Sequence, residues 1–154
     1  MDYFVALFLI VIIVRTIWEI VIDLINLRYS TGTNAKIPDI LEDKISAEDF
    51  EKSKKYLKDT TYFGIVRSLV SLIVNIVFVL KLFQILEHAL SGEDSLYIQA
   101  ILFFGIYTLI DYLVDLPFTI YSTFVIEEKY GFNTTRPRLF FKDQMLNVFL
   151  TVLL

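Results

Sequence analysis

Arg15, Glu19 and Asp23 stand four residues apart in a stretch that is otherwise almost wholly apolar, and Asp111 and Asp115 repeat that spacing in a second such stretch. Residues four apart share one face of a helix, so each set forms a charged stripe. A charge near the centre of a bilayer costs at least about 2.5–3.5 kcal/mol, and groups of this kind turn towards one another or towards water. Spacing alone leaves two readings open. In the structural one, Arg15 pairs with Glu19, and the aspartates cap or bond neighbouring helices. In the functional one, the five side chains line a wet chamber or path inside the membrane, and the number of charges in the apolar stretches favours it. Arg67 and Lys81 lie nearer the ends of a third apolar stretch, where their long stems can snorkel to the surface.

Other chemistry has few parts to work with. The single histidine, His88, lies beside Glu87 at the end of an apolar run, and there is no cysteine. A zinc site of ordinary composition cannot be assembled from these residues, and disulfides are excluded. The chain contains no H-E-x-x-H, phosphate-binding loop, G-x-G-x-x-G or G-x-S-x-G. Asn133-Thr134-Thr135 fits a glycosylation sequon, but it falls on the side expected to face the cytoplasm.

The elements that must position these residues are set by the composition. Of the 154 residues, 56% are hydrophobic, above the roughly 45–50% of a soluble domain, and the mean hydropathy is +0.62. A single soluble core of this length could not bury that excess. The net charge of −4 and the absence of a basic, aromatic-interleaved patch argue against a nucleic-acid partner. Met1-Asp2-Tyr3 carries no cationic region or small-residue cleavage site, so no secretory signal is expected there.

Three runs, residues 3–27, 62–86 and 96–121, are each long enough at about 1.5 Å per residue to cross a hydrocarbon core of about 30 Å. A fourth, 145–154, supplies about half of the roughly 20 residues a span needs, so the chain is expected to be the first part of a longer protein. The fold expected is all-α, a polytopic membrane bundle of three complete spans and the start of a fourth. Lys and Arg concentrate in the connections 28–61 and 122–144, whereas "EHALSGEDS" has neither. The positive-inside rule then puts the N-terminus outside or in the lumen and both basic loops in the cytoplasm.

The first basic loop has turn chemistry around Gly32 and Pro38. A helix start follows at Ser46, with Asp49 three residues on. Phe50, Ser53, Tyr56 and Leu57 then recur at helical spacing against a charged face. Such a helix can lie on the membrane surface or a partner domain, or it can be a solvated hairpin leading into the second span. In the second basic loop, Glu127, Glu128 and Lys129 precede Gly131, Phe132 and Asn133. Gly131 suggests a turn needing positive φ, and Phe124, Tyr130 and Phe132 suggest an interfacial anchor.

"PFTIYSTFVIEEKYGFN", followed by "LFFKDQ", closely resembles the signature before the fourth span of the type 1 CAAX prenyl proteases, a family of integral-membrane zinc metalloproteases. "FEKSKKYLKDTTYFG" resembles the stretch that leads into that family's second span. The likeness covers most of residues 46–145 and is weak over the first span. Arg136-Pro137-Arg138 and Gln144-Met145 depart from the family pattern outside its core signature. The resemblance implies a parent with seven spans around a water-filled chamber. It also implies zinc held on the cytoplasmic side by an H-E-x-x-H helix and a later Glu, all beyond residue 154. These 154 residues would then be inactive alone. They would supply chamber wall (Arg15, Glu19, Asp23, Asp111, Asp115) and a scaffold loop (Glu127 to Asn133) that positions the catalytic domain or frames substrate entry.

The expected partners are the lipid bilayer, the C-terminal catalytic domain, and a peptide or prenylated protein substrate. A bacterial inner membrane is the favoured setting and the endoplasmic reticulum the alternative, and a bacterial relative can degrade damaged membrane proteins instead. The competing functions are a transport or channel component with a charged intramembrane path, and a small membrane scaffold.

Overall fold

A computed structural model describes residues 3–32, 35–37, 45–92 and 95–153. Pro38 and Lys44 of the first basic loop, and Glu93 and Asp94 of the uncharged-by-lysine connection, lie outside the described residues. The elements are all helical: α1 (Tyr3–Thr31), α2 (Ala47–Val77), a π turn (Phe78–Leu82), α3 (Phe83–Leu90), α4 (Leu96–Tyr121), a second π turn (Ser122–Glu127), α5 (Glu128–Tyr130) and α6 (Pro137–Leu153). No strand occurs among the described residues.

Three helical rods, Tyr3–Thr31, Ala47–Leu90 and Leu96–Tyr130, are long and apolar enough to cross a membrane. The second has 44 residues and is about 66 Å long at 1.5 Å per residue. It is therefore twice as long as the hydrocarbon is thick, and its charged first part must stand clear of the bilayer. Ser46 starts it as the sequence suggests. The serine hydroxyl oxygen accepts the Asp49 N–H at 3.0 Å and donates to the Asp49 carboxylate at 2.7 Å. The helix beginning there is continuous with the second span, so the first basic loop ends at a rod.

Of the expected stripe of Phe50, Ser53, Tyr56 and Leu57, Tyr56 joins the face that docks. That face of α2 runs from Lys52 to Asn75 against the later rod and its exit turn, and Phe78 continues it in the π turn. Lys52 lies over Phe132, Tyr56 meets Tyr130 and Phe132, and Asp59 meets Lys129. Further along, Phe63 packs on Phe118 and Tyr121, Arg67 meets Asp115, Asn75 meets Tyr107, and Phe78 packs on Phe103 and Tyr107. The steps of three and four residues keep those side chains on one side of the helix. An apolar count misses this face because cations and a carboxylate make several of its contacts.

Few of the described residues are buried: Leu27, Phe78, Ile126, Tyr130 and Phe140. Large apolar side chains such as Trp18, Ile73 and Phe104 are exposed, as expected where lipid rather than water is the solvent. Polar groups inside the rods bond to their own backbone. Thr16 Oγ1 donates to the Ile12 carbonyl at 2.9 Å, and Asn75 Nδ2 to that of Ser71 at 2.9 Å.

The third rod passes through Pro117, which cannot donate to the preceding turn, then widens into the π turn at Ser122. It ends at Gly131, whose φ is +70°. The Phe132 N–H donates to the Glu127 carbonyl at 2.9 Å and the Gly131 N–H to that of Glu128 at 3.0 Å, the paired bonds of a Schellman ending. α6 starts at Pro137, ahead of the apolar stretch that opens at 145. Proline at a first helical position loses no bond.

A side chain at Gly131 must be held left-handed, at a cost of roughly 1–2 kcal/mol. Gly131→Ala is expected to lower the melting temperature of the purified protein, and Gly131→Asn to lower it less, because asparagine tolerates that conformation. Equal loss in both variants would show that the space around Gly131, not its φ, is limiting.

Candidate functional site: a charged cavity between the helices and an aromatic knot

α1, α2 and α4 line a half-open cavity of about 500 Å³. Arg15 and Glu19 reach it from α1, Arg67 from α2, and Asp111 and Asp115 from α4. Ser71, Asn75 and Tyr107 complete a polar wall. Four of the five residues picked out by their spacing thus share one space, while Asp23 is not among its lining residues and is exposed on α1.

Arg67 was missed as a site residue. Its guanidinium does not snorkel but forms a two-pronged bond across the helices, with Nε to Asp115 Oδ1 and Nη2 to Asp115 Oδ2, both at 2.6 Å. Thr119 Oγ1 donates to the same carboxylate at 3.1 Å. The signal was present in the sequence. Arg67 lies five residues inside one end of the second span, and Asp115 six residues from the corresponding end of the third. Neighbouring spans of opposite direction bring those positions to one depth. On α1, Arg15 Nε donates to Glu19 Oε1 at 2.8 Å. This pair stays along its own helix, and the Arg15 side chain is 75% exposed. Asp111 makes no hydrogen bond among the described residues and presents a free carboxylate to the cavity. Both structural and chamber-facing features therefore occur together: one aspartate is locked and the other is open.

The signature loop forms a second centre beyond the apolar ends of the spans. Lys129 Nζ donates to Asp59 Oδ2 at 2.6 Å and the Tyr130 hydroxyl donates to the same oxygen at 2.7 Å. Tyr56 packs edge-on against Tyr130 and Phe132, with ring centroids 5.4 and 4.8 Å apart. Asn133 ties the turn: its Nδ2 donates to Glu128 Oε2 at 3.0 Å and its Oδ1 accepts the Thr135 N–H at 2.7 Å. The Glu127 backbone carbonyl accepts from both Phe132 and Asn133. Its carboxylate makes no hydrogen bond among the described residues.

The Lys129 ammonium, aided by the Tyr130 hydroxyl, holds the Asp59 carboxyl below its ordinary value. The same bond raises Lys129.

The described residues do not fit a zinc site. No three of their His, Cys, Asp or Glu side chains come together to hold a metal. His88 sits in α3, remote from the aromatic knot, and its backbone carbonyl accepts from Ser91 Oγ.

A helical membrane bundle with a charged cavity and an aromatic-capped exit loop is the class of protein these observations define. Residues 26–154 match the family described as the CAAX prenyl protease N-terminal domain with five membrane helices, and the chain belongs to that family. It is 33% identical over 130 residues to CAAX prenyl protease 1 of Saccharomyces cerevisiae, which covers 77% of this chain and 29% of the yeast protein. It is 34% identical over 155 residues to the CAAX prenyl protease 1 homolog of Arabidopsis thaliana, 92% of this chain and 35% of the plant protein. The chain therefore spans about a third of the length of these relatives. The crystal structure of Ste24p from S. mikatae superposes with a TM-score of 0.79 at 27% identity, over 97% of this chain and 36% of that one.

Two outcomes follow from this geometry. The Arg67–Asp115 pair is about 40% exposed on each side. Its coupling should lie between the ~0.2–1 kcal/mol of surface pairs and the ~3–5 kcal/mol lost on breaking a fully buried one. The double alanine variant should therefore lose less melting temperature than the sum of the two single losses, and strict additivity in a thermal double-mutant cycle would refute the coupling. For Asp59, the lowered carboxyl contributes stability that is present above its ordinary value of 3.8 and is lost as pH falls through the still lower folded value. Asp59→Asn should lower the melting temperature at neutral pH, with the difference from wild type shrinking below about pH 4.

Proposed function

We propose that this chain is the N-terminal membrane region of a zinc metalloendopeptidase that cleaves prenylated or membrane-associated proteins. It supplies chamber wall and scaffold, while the metal ligands come from elsewhere in the protein. The observation that carries this reading is the cavity walled by Arg15, Glu19, Arg67, Asp111 and Asp115, at a depth where charges are retained only when they face water or one another. Family membership supplies the reaction class. On this reading Asp111 and Arg15 hold water and polar substrate backbone in the chamber, and Arg67 keeps Asp115 from competing with them.

The knot of Asp59, Tyr56, Lys129, Tyr130 and Phe132 has the scaffold role. It fixes the direction in which the chain leaves the third span, and so where the cytoplasmic part of the protein is held. On this reading the N-terminus lies outside or in the lumen and both basic loops in the cytoplasm, which the distribution of Lys and Arg supports. The zinc, when bound in the whole protein, would activate water for attack on the peptide bond.

The test uses the full-length protein, purified in detergent, with a prenylated peptide ending in the CAAX pattern and its unprenylated counterpart. Cleavage should be abolished by a zinc chelator and restored by zinc. Asp111→Ala and Arg15→Ala should insert normally and lower kcat/KM at least about tenfold, the loss of roughly one charge-assisted contact. Wild-type cleavage in both variants would remove the chamber-lining role. Solute flux from loaded vesicles without zinc-dependent cleavage would replace the protease reading with transport.

A further inference from the structure

We infer a binding site for the head group of an anionic phospholipid between α1 and α2, at the end of the spans that carries the first basic loop. The site is a cavity of about 410 Å³, separate from the charged chamber. Four cations wall it: Arg28 from the last turn of α1, and Lys54, Lys55 and Lys58 from the first half of α2. Glu51 is the single carboxylate in the lining, and it already accepts from Lys54 Nζ at 2.8 Å. Arg28, Lys55 and Lys58 form no ion pair among the described residues. Arg28, Lys55 and Lys58 thus line one cavity whose single carboxylate is already paired with Lys54. The shape and charge suit a phosphate.

Position selects the source of that phosphate. The remaining lining residues are Leu24, Leu27 and Thr31 at the end of α1 and Tyr62 where the second span begins. Leu24 is 40% and Tyr62 50% exposed, so the apolar side of the cavity opens towards where acyl chains run. A site whose cations stand directly above an apolar floor, at the level where two spans leave the hydrocarbon, matches a phosphodiester with its chains attached. A free phosphate has no use for that floor. Basic pockets between transmembrane helices at this level hold anionic head groups in general. The bound lipid would clamp α1 to α2, which share no ion pair among the described residues.

The experiment titrates phosphatidylglycerol, phosphatidylcholine or inorganic phosphate into the full-length protein in a neutral detergent, with binding followed by native mass spectrometry. Phosphatidylglycerol is expected to bind at least about tenfold more tightly than phosphatidylcholine, with the preference weakening as salt rises. Arg28→Gln/Lys55→Gln/Lys58→Gln should abolish the preference, and Lys81→Gln, in the π turn at the far end of α2, should leave it intact. Should the triple variant fail to give a monodisperse protein, Lys55→Gln alone is expected to weaken the preference several-fold. An undiminished preference in either variant would overturn the site. Inorganic phosphate binding as tightly as phosphatidylglycerol would overturn its assignment to lipid.

Discussion

A charge in hydrocarbon needs an opposite charge or water within reach, and the arrangement of this protein depends on how that need is met at Arg67. The guanidinium and the Asp115 carboxylate fit as two parallel bonds of 2.6 Å, which fixes distance, depth and rotation between α2 and α4 at once. A fork of this kind carries geometric specificity that a single contact between a lysine and an aspartate lacks. Once the two helices are held at that depth, Asn75 finds Tyr107 and Phe78 finds Phe103 on one side, and Phe63 finds Tyr121 on the other.

The same face of α2 then continues out of the apolar zone without changing its partner. A 31-residue helix with no internal proline or break between Ala47 and Val77 behaves as a rod, so the register set by Arg67 inside the membrane is also the register at Asp59 and Tyr56 outside it. This links the two centres mechanically. A tilt of α2 that opened the cavity would move Asp59 relative to Lys129 and Tyr130. The opposing rod is less uniform, with Pro117 and a π turn between the cavity and the knot. Local widening there lets Lys129 and Tyr130 point at α2 after a helix that regular geometry would rotate past it.

α1 plays a different part. It packs along α2, yet its charged pair is internal, Arg15 to Glu19, and leaves the guanidinium largely exposed. A helix whose charges are satisfied along its own axis makes no demand on the depth of its neighbour. The cation-lined space near Arg28 is the second cavity that α1 and α2 share.

The helical class, the three long apolar rods, the start at Ser46 and the turn at Gly131 were legible in the sequence. Each is decided by chemistry local to a few residues: hydrophobic length, a cap hydroxyl, and a backbone angle that glycine adopts freely. The stripes at Arg15, Glu19, Asp111 and Asp115 were legible for the same reason, as helical spacing alone puts four-apart residues on one face. Which faces meet was not legible. Arg67 reads as a snorkelling end residue until α4 is set antiparallel beside it, and Asp23 continues the α1 stripe yet is not part of the cavity lining. The docked face of α2 mixes Lys52, Tyr56, Asp59 and Phe63, so no hydrophobic period announces it. Local chemistry determined the elements and their charged faces. Only the tertiary structure decided the partners, because depth, direction and rotation of one helix against another are properties of the pair and are written in neither helix alone.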